Sequence, residues 1–281
     1  MARNGGNELR MITKLQISGR TISFDPANPI DISIPLDFYG PQPNAYGVEP
    51  ASAKACDAGE MIGDTRRGGS CNFEQVTLIP HCNGTHTECV GHITHERISV
   101  RDSLQDTFMT ARVVSIKPEG TLDTNESYSM PFEESDHVIT FSALKAAING
   151  NESNALIVRT LPNDVAKKSR SYGNEIPPFF TTEAMEFIVG AGISHLLVDI
   201  PSIDRLFDEG RLSNHRKFWK VEPGSFEIAD RSRLNATVTE LIYVPESVPD
   251  GEYLLNLQIA PFSSDAAPSR PMIFAIAESE Q

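Results

Sequence analysis

Apolar and polar side chains do not keep one period along this chain. KLQISGRTISF (residues 14–24) alternates on both sides of Ser18-Gly19-Arg20. Alternation puts successive side chains on opposite faces of an extended chain, so the segment predicts a β-hairpin. PIDISIPL (29–36) alternates between bracketing prolines and predicts a further strand. From 37 to 72 the pattern dissolves into Gly, Pro, Ala and Asn. That predicts a long irregular loop, a kind of segment that is usually functional or mobile. FEQVTLIPH (73–81) and ARVVSIKP (111–118) predict strands.

After residue 137 the pattern changes. HVITFSALKAAING (137–150) reads as a strand followed by a helix, with Ser142 as N-cap and Gly150 as the stop. NALIVRT (154–160) and ISHLLVDIP (193–201) read as buried strands. TTEAMEFIVGAG (181–192) between them reads as a helix capped by Thr181 or Thr182. Strands that alternate with helices predict parallel pairing across those helices. TVTELIYV (237–244) and EYLLNLQIA (252–260) return to alternation. The expectation is an α/β fold: a β-hairpin extension over 1–28, then one domain over 29–281.

Composition narrows the function classes. The chain has 281 residues, 40% of them hydrophobic, enough for a large core. It contains no run of eighteen apolar residues, so no membrane span is expected. The N-terminal stretch lacks a long apolar segment after its basic residues and does not read as a secretory signal; a cytoplasmic location is the default expectation. Formal net charge is −14, and the basic clusters (Lys167-Lys168-Ser169-Arg170 and His215-Arg216-Lys217) are short. Nucleic acid is therefore not an expected partner. Cys56, Cys71, Cys82 and Cys89 form no CxxC pair, which excludes a four-cysteine zinc knuckle. A chain with a full core needs no disulfide staples, so Cys56, Cys71 and Cys89 are expected as idle thiols.

One stretch concentrates chemistry. HCNGTHTECVGH (81–92) holds three of the seven histidines, two of the four cysteines and a glutamate. On a strand, His86 and Glu88 face the same way, with Cα atoms roughly 6.5 Å apart. Gly84 lets the backbone bend or approach a ligand, and His92 follows four residues after Glu88. A polar surface loop can collect such residues by chance. Yet His86, Glu88 and His92 together, with His81 or Cys82 upstream, point to a metal site. The spacing is not HExxH, so a zincin helix is ruled out.

PHCNGTHTECVGH resembles the signature H-x-G-T-H-x-D-x-P-x-H of the putative cyclase family, which includes bacterial kynurenine formamidases and isatin hydrolases. IDISIPL, ALIVRT, EAMEFIVGAGISHLLVDIPSID, NHRKFW and VTELIYV are similar to further segments of that family in the same order. The resemblance runs from about residue 29 to 275. It implies a mixed, barrel-like β-sheet with flanking helices. It also implies a ligand set for one or two divalent ions: zinc first, manganese or iron as alternatives. His86 matches the second histidine ligand, Glu88 the carboxylate bridging two metals, His215 the late histidine and Glu240 the late carboxylate. His92 matches the general acid and base. The first ligand falls on His81, with Asn83 as an inserted, bulged residue. Cys82 is the alternative, favoured by strand parity.

Two departures stand out. Glu88 occupies a position where the family has Asp, and the interval from His215 to Glu240 is longer than in formamidases, which marks 220–236 as an inserted loop. By themselves His215 and Glu240 read as a packed surface histidine and a solvent-facing strand carboxylate. Asp199 and Asp204 have a site-lining reading, but strand-end turn formation is the preferred one for both. His95, His137, His195 and Trp219 read as structural. The resemblance implies a hydrolase that cleaves an aryl formamide or related amide with metal-activated water, His92 moving the proton. Lactam opening or a cyclase or dehydratase reaction is the alternative, and a non-catalytic metal-binding relative comes third. The expected partner is a small-molecule substrate, and a homo-oligomer is expected by analogy.

Overall fold

In the computed structural model, which describes residues 12–148, 153–173 and 176–277, the first hairpin forms where alternation placed it. Thr13–Ile17 pairs antiparallel with Arg20–Phe24. Ser18 and Gly19 both take positive φ (49° and 78°), as the twist of a two-residue hairpin turn requires. Ile22 and Phe24 turn inward onto Leu254 and Phe274.

Four strands at the centre of a nine-stranded sheet run parallel, in the order Thr237–Glu240, His195–Val198, Ala155–Thr160, Phe108–Ile116. Antiparallel strands flank them. On one side lie His86–Glu88 and Ala266–Pro268; on the other lie Gly251–Asn256, Met272–Ala275 and Ile30–Asp31. The chain beyond Asp31 crosses back to the far side of the sheet: Ser33 bridges Ile242, and Tyr243 donates its amide to the Ile32 carbonyl at 2.8 Å. The sheet therefore curls into a half-barrel.

Central parallel strands are covered on both faces, which explains their continuous apolar character. Leu156, Val158, Leu196 and Val198 pack against the helices Phe141–Ala147, Thr182–Gly190 and Ser213–Trp219. Ile157 and Leu197 face the inside of the curl, with Ile32, Met109, Val113 and Leu255. Trp219 is fully buried, and its indole donates to the Ala236 carbonyl at 2.9 Å, a packing role as expected.

Several expectations need correction. Thr140, not Ser142, caps the helix at Phe141–Ala147, accepting from the Ala143 amide at 3.1 Å. Gly150, its expected stop, lies outside the described residues. The strand His137–Ile139 does not join the main sheet; it pairs parallel with Phe179–Phe180. The second parallel neighbour of Ala155–Thr160 is Phe108–Ile116 instead. Within 73–81 only Glu74–Thr77 is a strand, and Pro80 opens a helical turn over Pro80–Asn83, where its missing N–H costs nothing. The expected loop 37–72 contains short pairings: Ser52–Ala55 with Glu74–Thr77, and Asp57–Ala58 with Met61–Ile62. Mostly exposed on both faces, they carry little apolar signal. The 29–36 strand shortens to Ile30–Asp31 plus the bridge at Ser33, although Ile32 and Ile34 are buried as alternation requires. Cys56, Cys71, Cys82 and Cys89 are free thiols. Among the described residues no helix is long and apolar enough to cross a membrane.

Asp199 ties strand ends together. It accepts from the Thr160 amide and hydroxyl, both at 2.9 Å, and pairs with buried Lys167 at 2.8 Å. Removing one member of such a pair strands the other charge away from water. Lys167→Met should therefore cost about 3–5 kcal/mol in urea unfolding, and adding Asp199→Asn should recover part of that loss.

Candidate metal centre

The strand His86–Glu88 is held between Ala266–Pro268 and Thr237–Glu240, with His86 opposite Glu240 and Thr87 opposite Thr239. Facing residues in an antiparallel pair share a side. Thr87 and Thr239 meet on one side, hydroxyl to hydroxyl at 2.8 Å. His86 and Glu240 meet on the other, with Nε2 3.5 Å from Oε2. Glu88, two residues beyond His86, projects to that same side.

Other elements bring the remaining side chains. Helix Ser213–Trp219 places His215 Nε2 2.9 Å from Glu88 Oε1 and 3.7 Å from Glu240 Oε1. The turn Pro80–Asn83 places His81 Nε2 3.3 Å from Glu88 Oε2. The turn Val90–Ile93 places His92 Nε2 3.8 Å from the same oxygen, its ring stacked on His81 at 4.4 Å. Glu88 thus joins two groups, His81–Glu88–His92 and Glu88–His215–Glu240, each with ligand atoms within 4.8 Å of one another. All six residues singled out in the sequence, His81, His86, Glu88, His92, His215 and Glu240, lie around one point.

The helical turn bears on the choice between His81 and Cys82. Strand parity does not apply there, and Asn83 is no bulge: its side-chain oxygen accepts from the Ile79 amide at 2.7 Å. His81 faces Glu88, whereas Cys82 belongs to neither group.

Two further carboxylates join the site: Asp204, for which a turn role is the preferred sequence reading, and Asp265, which the sequence does not mark. Asp204 Oδ2 lies 2.6 Å from His215 Nδ1, and Asp204 also accepts from the amides of Asn214 and His215 and from the Tyr128 hydroxyl. It starts the helix and aims the imidazole at once, more than the turn role expected of it. Asp265 Oδ2 lies 3.1 Å from His81 Nε2 and 3.4 Å from His92 Nδ1. No local pattern marks Asp265; it arrives because the strand after it pairs with His86–Glu88. Asp199 lies at the strand end described above. His95 stacks on Phe226, and buried His195 contacts the Thr237 hydroxyl.

Electrostatics follow from burial. Withdrawal from water pushes the Glu88 carboxyl up, but His92, His215 and His81 outweigh it and hold the group well below the usual carboxylate range. Burial likewise disfavours charged His215, yet Glu88, Asp204 and Glu240 raise its pKa well above the ordinary value. Burial also opposes charge on His81, and Asp265 and Glu88 overcome it, raising the pKa to about 10. The carboxylates draw positive charge onto the imidazoles. His81 Nε2, His86 Nε2 and Glu88 Oε2 are nonetheless buried, and despite the close approaches none of them makes a well-directed hydrogen bond. Orphaned imidazole nitrogens and a carboxylate oxygen turned toward one another fit a divalent cation. A donor set without a thiolate suits Zn, Mn or Fe.

The family model described as putative cyclase matches residues 30–205. A kynurenine formamidase from Bacillus cytotoxicus is 24% identical over 251 residues, covering 87% of this chain and 96% of its own. Among solved structures, isatin hydrolase A from Ralstonia solanacearum has a TM-score of 0.58 at 14% identity, over 88% of this chain and 92% of that one. A chain described as a potential metal-dependent hydrolase with cyclase activity has a TM-score of 0.57 at 14% identity, over 88% and 98%. These structural likenesses show a shared fold.

Metal-free protein should reveal the charge balance. A histidine whose folded pKa is raised contributes stability fully below its ordinary pKa and loses it as pH climbs through the folded value. For His81 that window runs from about 6.5 to about 10. In chelator, urea midpoints should fall between about pH 7 and 10, and less steeply in His81→Gln.

Proposed function

This chain belongs to the putative cyclase family, and on that premise we propose that it is a metal-dependent hydrolase that cleaves the carbon–nitrogen bond of an aryl formamide or related amide. The convergence of His81, His86, Glu88, His215 and Glu240 carries this reading, with buried ligand atoms left unpartnered. These five residues would hold one or two divalent ions, zinc before manganese or iron, with Glu88 common to both groups. When bound, such ions supply Lewis acidity and make a water molecule ionisable near neutral pH.

The chain's own residues do the rest. Asp204 engages His215 Nδ1, so the Nε2 lone pair is turned to the cluster; such partners fix both ring orientation and tautomer. His92 is about a quarter exposed, unlike buried His86 and His215, and its Nε2 stays 3.8 Å from Glu88. That position suits it to carry a proton to the leaving nitrogen. Asp265 sits behind it, beside Nδ1, where negative charge favours a proton on that nitrogen and leaves Nε2 free. Tyr46 brings the 37–72 loop to the same place. The pKa of its phenol is raised above the ordinary value, first by withdrawal of the hydroxyl end from water and then by the Glu240 charge, so it remains a donor although much of the side chain is exposed. Its ring stands edge-on to Phe207 at 6.1 Å, and both are exposed. An aromatic amide finds a matching wall there, which supports the aryl class.

His92→Ala should lower turnover of an aryl formamide by roughly 10²–10⁴, with metal content by mass spectrometry unchanged. Glu88→Gln should instead lose tightly bound metal along with activity. A panel of aryl formamides and lactams decides the bond class: hydrolysis of lactams alone would move the reading to cyclic amides, and full activity in His92→Ala would remove the proton-transfer role.

A further inference from the structure

Arg216 follows His215 in the same helix but turns to a different space. It is 6% exposed, yet among the described residues no carboxylate oxygen lies within 4.0 Å of its guanidinium. Asp204 and Asp208 act on it only from farther away. Carbonyls hold two of its nitrogens: Nε donates to Arg211 at 3.0 Å, and Nη1 to Glu222 and Ser225. The Phe226 ring stacks on it at 5.3 Å. Nη2 has no protein acceptor among the described residues. A buried cation without a counter-charge is costly, and carbonyl dipoles compensate it only in part.

Arg216 lines a cavity of about 870 Å³, within the range of small-molecule pockets. None of the six metal-centre residues lines it. In a chain of net charge −14, five cations meet here. Arg211, Lys217 and Arg231 are each paired with a glutamate. Lys220, like Arg216, has no ion-pair partner among the described residues. Val221, Pro223 and Phe226 give the cavity an apolar side. Much of this wall comes from 220–236, the segment that lengthens the interval between His215 and Glu240.

We propose that this cavity is a second binding site, separate from the metal centre, for a small amphipathic anion with one carboxylate on an apolar body. The carboxylate would meet Arg216 Nη2 and the Lys220 ammonium, and the body would lie against Val221, Pro223 and Phe226. The pairing explains why a buried guanidinium is kept free of internal carboxylates. A free inorganic anion would satisfy the charge but leave the apolar side unused.

Titration calorimetry on the full-length, metal-loaded chain tests this, with benzoate, neutral benzamide and inorganic phosphate as probes. Benzoate should bind saturably, benzamide and phosphate far more weakly. Arg216→Gln should weaken benzoate at least about tenfold. Lys220→Glu, an exposed change that does not risk the fold, should weaken it severalfold and leave basal turnover unchanged. Benzoate binding untouched by both substitutions would assign it to the metal centre and overturn the proposal. So would equal binding of benzamide, phosphate binding without benzoate, or no benzoate binding.

Discussion

Glu88 and Glu240 are withdrawn from water inside a curled sheet, at 0% and 3% exposure. An unpaired carboxylate in such a place costs several kcal/mol even after the protein relaxes. The surrounding structure is arranged to answer that cost with imidazoles, one from a helix, one from a strand and two from short turns. Asp204 and Asp265 add negative charge behind those imidazoles, which strengthens each as a donor of electrons or of a proton. Four carboxylates and four histidines leave the balance short of positive charge whenever the rings are neutral. That shortfall is the physical case for a cation at the centre.

Architecture decides who can take part. The four parallel strands form a floor packed on both faces, while the site residues come from the end of its outermost parallel strand, Thr237–Glu240, from the antiparallel strand beside it and from the connections above. Residues distant in sequence become neighbours because His86–Glu88 sits between Thr237–Glu240 and Ala266–Pro268. The glutamate standing where relatives of this family carry aspartate fits the arrangement. Its Oε1 approaches His215 and its Oε2 approaches His81 and His92, a span served by the longer side chain.

Much of this was legible beforehand. Strong periodicity located the buried strands at 155–160 and 195–198 and the helix at 182–190, because two-sided burial leaves an unmistakable apolar run. The crowding of His81, His86, Glu88 and His92 was visible as composition, and the resemblance to the cyclase family added His215 and Glu240. Asp265 was not visible, since a lone aspartate beside small residues looks like a turn. Asp204 was seen but undervalued, because its second task depends on a helix folding back on it. The exposed pairings within 52–77 escaped notice for a different reason: hydrogen bonds without burial leave no apolar rhythm. His137–Ile139 was read as a strand but assigned to the wrong sheet, since periodicity carries no information about partners.

The opposition of His86 to Glu240 and of Thr87 to Thr239 makes the gene unevenly tolerant of length change. A codon lost or gained inside 86–88 would slide the ladder by one place and exchange its two sides, so that threonines occupied the centre and the acid and imidazole entered the opposite layer. Between Trp219 and Thr237 the connection runs outside the ladder, and several codons can come and go without moving a single rung. Drift in length is channelled into the outer wall, while the ladder beneath keeps its register.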